Sequence, residues 1–216
     1  MLVSKRLLTS MSSPRTSRRP TGERQEELAS AALELIATRG ITALTTRALA
    51  QHVGITSGAI FRHFPTLDAL LDAVVARVER LLAGTFPPEG LSPRARLARF
   101  VEARSTAVAS QVGVLQLVSS EQFQLALPPA AVTRLQKCID HTRVFVVSTL
   151  RAGQADGTIR DDLDAKALAV IVMGTTRMLA LKRGGADPRA VQRALAKLLE
   201  PVGAKRGRRD SGTLAR

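Results

Sequence analysis

A chain of 216 residues that is 45% hydrophobic and 23% charged is long enough to bury a sizeable core and is not a wholly disordered polymer. Six phenylalanines without tyrosine or tryptophan are too few for the aromatic platforms of a single-strand nucleic-acid binder, and the one cysteine, Cys138, permits neither an internal disulfide nor a cysteine-rich zinc site. Of the formal net charge of +14, nine units lie in the two ends, on Lys5, Arg6, Arg15, Arg18 and Arg19 and on Lys205, Arg206, Arg208, Arg209 and Arg216 against Asp210, so the charge marks arms that attract polyanions and identifies no recognition surface.

Residues 1–20 read as a disordered basic leader in which Met11 is a second candidate start, and the run from Leu2 to Leu8 is too broken for a signal peptide. With no secretory signal, the expected compartment is the reducing cytoplasm, and Cys138 reads as a structural helical thiol. No stretch approaches the roughly 18 uninterrupted apolar residues of a membrane span. Gly22 to Thr38 predicts the first helix, with Thr21 as cap and Leu28, Ala31, Ala32, Leu35 and Ile36 on one face, stopped by Gly40. Thr46 to His52, a break at Gly54, and Ser57 to His63 predict two more short helices, closed by Pro65. Helices so short are marginal alone and must share a core, composed here of Leu28, Ala32, Leu35, Ile36, Leu44, Leu49, Ala50, Val53, Ile55, Ile60 and Phe64.

A fourth helix follows from about Leu67 to Leu82, and Gly84 to Gly90 with two prolines makes a corner. Helical periodicity continues over Arg94 to Gln111, Gly113 to Gln124, Ala130 to Ala152, Asp164 to Leu181 and Pro188 to Leu199, with Gly153 to Gly157 read as a break. The expected fold class is all-α, a three-helix DNA-binding domain with a helix-turn-helix followed by a larger helical regulatory and dimerisation domain. The expected boundaries are 1–20 for the leader, 21–66 for the helix-turn-helix domain, 67–203 for the larger domain and 204–216 for a disordered basic tail.

The informative stretch runs from Leu44 to Phe64. Thr45 caps one helix and leaves Thr46 and Arg47 in its first turn; Gly54 makes the turn, Ile55 fills the space between helices, and Thr56 caps the next. Ser57, Gly58 and Ala59 keep that helix slim enough to approach base edges in a major groove, although small residues equally suit packing against another helix. The segment from about Arg24 to Val75 resembles the N-terminal domain of the TetR family of transcriptional repressors in Gly40, Leu44-Thr45-Thr46-Arg47, Leu49-Ala50, Gly54-Ile55-Thr56, Gly58-Ala59-Ile60-Phe61, His63-Phe64 and Leu70. The resemblance implies a phosphate contact at Thr46, a base-reading position at Arg47, a groove-facing turn at Ser57 to Ala59 and a second phosphate contact at His63. Thr56, Phe61 and Arg62 complete the candidate DNA-binding set. Phe61 stands where the family usually has tyrosine, and Thr66-Leu67 where it usually has serine-lysine.

The same resemblance implies a ligand-binding and dimerising larger domain. Ligand-pocket candidates are Leu117, Glu121, Phe123, Arg134, His141 and Phe145, and the apolar residues Leu115, Leu117, Val118, Phe123, Leu125, Leu135, Ile139, Val144, Val147 and Leu150 line either a core or a cavity. Dimer-interface candidates are Ala169, Val172, Gly174, Met178, Val191, Leu195 and Leu198. His52, His63 and His141 have no metal-ligand spacing, and no nucleophile elbow or phosphate loop occurs, so neither an enzyme, a metal site nor a cofactor is expected. Expected partners are double-stranded DNA with a palindromic operator, a second copy of the chain and a small-molecule effector, with no membrane partner. The leading function is a repressor released from its operator by a small apolar or amphipathic ligand. A ligand-independent DNA-binding or chromosome-organising protein, and a purely structural helical interaction module, remain the alternatives.

Overall fold

The computed structural model describes residues 21–111, 114, 121–181 and 185–202. The basic leader, the basic tail, Leu115, Leu117 and Val118 lie outside these residues. Among them the fold is all-α, as the sequence predicts, and the helices are α1 (Thr21–Arg39), α2 (Thr46–Val53), α3 (Ser57–Phe61), α4 (Leu67–Ala83), α5 (Pro93–Ala109), α6 (Glu121–Ala126), α7 (Pro129–Ala155), α8 (Ala165–Ala180) and α9 (Pro188–Leu198), with a 3-10 turn at Ile41–Ala43.

Local chemistry explains most of the boundaries. The hydroxyls of Thr45, Thr56, Thr66 and Ser92 each accept a hydrogen bond from the N–H three residues on, and the carboxylates of Asp164 and Asp187 each accept two N–H bonds, so α2, α3, α4, α5, α8 and α9 all start on side-chain caps. Gly54 adopts φ 73°, ψ 36°, the left-handed conformation that ends α2. Helix α3 stops at Phe61, two residues before the predicted end, because the N–H groups of His63 and Phe64 both donate to the Ile60 carbonyl and tighten the last turn.

Two apolar cores organise the chain. The first joins Leu28, Leu35, Leu49, Ile60 and Phe64 to α4 through Leu70, Leu71, Val74, Val75 and Val78, and runs on to Phe123, Leu127, Ala131 and Leu135. The second packs Leu97, Phe100 and Val101 of α5 against Phe145, Val146 and Leu150 of α7, Leu168 and Val172 of α8, and Leu195 of α9. Helix α4 bridges the two ends. Glu26 of α1 pairs with Arg77 at 2.8 Å and with Arg80, while Asp72 and Glu79 of α4 both pair with Arg134 of α7.

Gly153, read from the sequence as a break, lies inside α7. A Cβ there would sit 2.6 Å from Ile159 Cγ1, so the missing side chain lets the buried Ile159 pack back onto the helix, and Ile159 N–H also donates to the Gly153 carbonyl. Alanine gains up to about 1 kcal/mol of helix propensity, whereas overpacking costs about 1–3 kcal/mol, and the stiff, β-branched Ile159 cannot swing clear. Gly153→Ala is therefore expected to destabilise the fold by about 1–2 kcal/mol. A urea-unfolding midpoint at or above that of the wild type would sink this account.

Candidate DNA interface and ligand cavity

In the helix-turn-helix, Ile55 N–H returns to the Ala50 carbonyl at 2.9 Å, and Ile55 packs against the first core, as does Val53. The turn therefore fixes α3 against α2 through one backbone bond and two apolar contacts. Arg47, Thr56, Gly58, Phe61 and Arg62 are exposed, while Thr46, Ser57, Ala59 and His63 are partly exposed. Phe61 leaves 49% of its surface in water, an unusual exposure for an aromatic residue. A Cβ placed on Gly58 meets nothing within 4 Å, so packing inside this chain does not require a glycine there. Thr66 caps α4 through its hydroxyl, which accounts for a hydroxyl residue at that position.

A cavity of about 970 Å³ opens between α5, α7 and α8, with Leu82 at the end of α4 and Val114 completing its wall. Its size suits a drug-sized or larger organic molecule. Ile139, Val144 and Val147 contribute apolar lining, as does Phe100. The described pocket candidates, which exclude Leu117, fall elsewhere. Phe123 is buried in the first core, Phe145 packs in the second against Phe86 and Phe100, and His141 lies against Phe86 with ring centroids 4.8 Å apart. Glu121 is exposed, and Arg134 is engaged by Asp72 and Glu79, whose hydrogen bonds and charges hold its guanidinium firmly protonated. Cys138 is half-buried, and burial pushes its thiol up, away from the thiolate form that a reactive sensor needs.

Among the described residues, the buried charged residue of the cavity lining is Arg104, which is 8% exposed. Its Nε donates to Thr85 Oγ1 at 2.6 Å, and its terminal nitrogens donate to the Leu82 carbonyl at 3.1 Å and to Thr142 Oγ1 at 3.4 Å. The guanidinium carbon lies 5.2 Å and 5.0 Å from the ring centroids of Phe86 and Phe100. Burial lowers its pKa to about 10, which still leaves it charged at neutral pH.

The dimer candidates divide. Ala169, Val172 and Leu195 are buried within the monomer's own second core and present nothing to a partner. Gly174, Met178 and Leu198 are exposed, and Val191 is partly so. Along α8 the exposed residues Ala167, Val170, Ile171, Gly174 and Met178 recur at helical spacing, and Ala190, Ala194 and Leu198 do the same on α9. Val170, missed from the sequence, and Ile171 are 72% and 44% exposed.

Residues 28–74 match the model for bacterial regulatory proteins of the tetR family. The HTH-type transcriptional repressor KstR2 of Rhodococcus jostii is 31% identical over 170 residues, covering 74% of this chain and 78% of the relative. The chain belongs to the TetR family. The ketosteroid transcriptional regulator KstR2 of Mycobacterium tuberculosis shares the fold with TM-score 0.69 and 24% identity, over 81% of this chain and 92% of that one. AibR, solved with isovaleryl coenzyme A and operator DNA, superposes with TM-score 0.69 at 15% identity, over 82% of this chain and 97% of its own. As a TetR-family regulator the protein is not an enzyme. Among the described residues no group of three or more His, Cys, Asp or Glu side chains forms a candidate metal site, and no helix is long and apolar enough to cross a membrane.

Proposed function

We propose that this TetR-family protein is a homodimeric, cytoplasmic repressor that holds a palindromic operator through α2 and α3 and lets go when an apolar or amphipathic ligand enters the cavity. The observation that carries this reading is the cavity itself, because its wall includes Leu82, the penultimate residue of the helix that also packs against α1. A ligand there acts on α4 directly, and a small rotation of α4 in each protomer changes the separation of the two reading heads. A fully packed core in this region would have favoured the ligand-independent alternative. The named role of the Rhodococcus relative as a repressor, and the presence of isovaleryl coenzyme A with AibR, agree with such a mechanism.

Selection from a random duplex pool is the test. The expected product is an inverted repeat with half-sites about one helical turn apart, and a pool without enrichment would refute sequence-specific binding. On the selected duplex, Arg47→Ala is expected to weaken binding by about 1–3 kcal/mol while leaving helicity and oligomeric state unchanged. Affinity for a scrambled duplex at the same salt concentration should fall much less. Equal operator affinities for mutant and wild type would remove Arg47 from the interface.

A further inference from the structure

We infer that the ligand of the cavity is an organic anion whose oxyanion group docks on Arg104. This inference rests on the cavity's being a ligand site and adds the chemical class of what enters it. Among the described residues the lining holds five basic ones, Arg104, Arg143, Arg151, Lys166 and Arg177, and no acidic one. Four of these are exposed and solvated; Arg104 is buried. Among the described residues no carboxylate pairs with it, although Arg24, Arg77, Arg80, Arg94, Arg134 and Arg160 all find one on more exposed ground.

A guanidinium carries five N–H donors, and the three bonds to Thr85, Leu82 and Thr142 leave two without an acceptor among the described residues. The two phenylalanine rings and the carbonyl end of α4 partly compensate the charge but do not neutralise it. A buried cation with spare donors and no paired carboxylate, in the wall of a cavity lined mainly by apolar groups, is complementary to one kind of guest: an apolar body with an oxyanion at its inner end. Carboxylate and phosphate share that chemistry. Such a guest competes with the Leu82 carbonyl for the same guanidinium, so its arrival loosens the hold of Arg104 on the end of α4.

Isothermal titration of the full chain with decanoate, decyl phosphate and decan-1-ol separates the possibilities. Both anions, or one of them, are expected to bind at least tenfold tighter than the alcohol, and the stronger of the two identifies the carboxylate or the phosphate source. Arg104→Gln should erase that preference, Arg104→Lys should keep part of it, and Arg94→Gln, outside the cavity, should leave it intact. If Arg104 only ties down α4, Arg104→Gln lowers the unfolding temperature and the preference survives, which overturns the inference. Alcohol binding as tight as that of both anions overturns it too while sparing the cavity reading, whereas failure of all three probes to bind overturns both. Should Arg104→Gln not fold, the Arg104 Nε–H resonance of the wild type is expected to shift with the tighter anion and not with decan-1-ol; no shift overturns the assignment.

Discussion

Ile171→Glu is expected to give folded monomers that bind operator about 10²-fold or more weakly, whereas Leu195→Glu is expected to unfold the chain. The two positions look alike in sequence, as aliphatic residues in consecutive C-terminal helices. The structure separates them: Ile171 is 44% exposed beside Val170, Gly174 and Met178, and Leu195 is 7% exposed inside the second core. A glutamate at 171 in the monomer remains hydrated and costs little. In a symmetric joint each copy meets the same patch of its partner, so two carboxylates enter one apolar contact without counter-charges, at several kcal/mol. Gly174, where an added Cβ meets nothing within 4 Å, leaves room on this face for a second backbone in the proposed joint. Losing the second head removes the avidity of a two-half-site operator, typically about 10²-fold or more. A glutamate at 195 has no hydrated alternative and is expected to abolish cooperative unfolding. Sedimentation equilibrium and circular dichroism of both variants decide the matter. A dimeric Ile171→Glu protein would show that α8 does not form the joint, and a stable, monomeric Leu195→Glu protein would show that the buried assignment of α9 is wrong.

The division between these residues shows where the sequence stops being informative. Apolar stripes and hydroxyl or carboxylate caps are local signals, and Thr45, Thr56, Thr66, Asp164 and Asp187 begin helices where those signals stand. The helix-turn-helix is legible for the same reason, since its turn, caps and core residues lie within about one helical hairpin. Which face of an apolar helix meets its own chain and which meets a partner is a long-range property, and α8 has apolar residues on both. Gly153 misled because a glycine that stops a helix and a glycine that admits Ile159 look the same in one dimension.

The cavity was the least legible feature, because a void depends on how far apart three helices stand and no residue encodes it alone. Arg104 nevertheless left a trace. It falls four residues after Phe100 and four before Val108, in the middle of the buried face of α5, where a surface arginine does not belong. Thr142, Thr149 and Thr176 sit in comparable buried positions, but each hydroxyl donates to the carbonyl four residues back, at 3.0, 2.7 and 2.7 Å, and so needs no outside partner. An arginine has no such local solution, which makes a charged residue on an apolar stripe a stronger functional signal than a polar one.

Phe123→Ala is expected to cost about 3–5 kcal/mol of folding stability, the usual range for deleting a buried aromatic side chain. As a sequence-level pocket candidate, Phe123 would affect ligand affinity and leave stability almost untouched. In the structure it is 1% exposed on the short helix α6, within the same apolar core as Val114, Leu127, Ala131 and Leu135, and the cavity wall does not include it. Its ring is part of the same apolar core as α4, so truncation leaves a void that the surrounding side chains fill only in part. Against a total stability of about 5–15 kcal/mol, a loss of this size is a third or more of what keeps the domain folded. Val144→Ala is the contrasting change: Val144 lines the cavity, is 63% exposed, and should alter stability by no more than about 0.5 kcal/mol. Urea unfolding of the two variants distinguishes wall from core. A Phe123→Ala protein within about 1 kcal/mol of the wild type would mean that α6 is not packed as described, and a large loss at Val144 would mean that the cavity is filled by the chain itself.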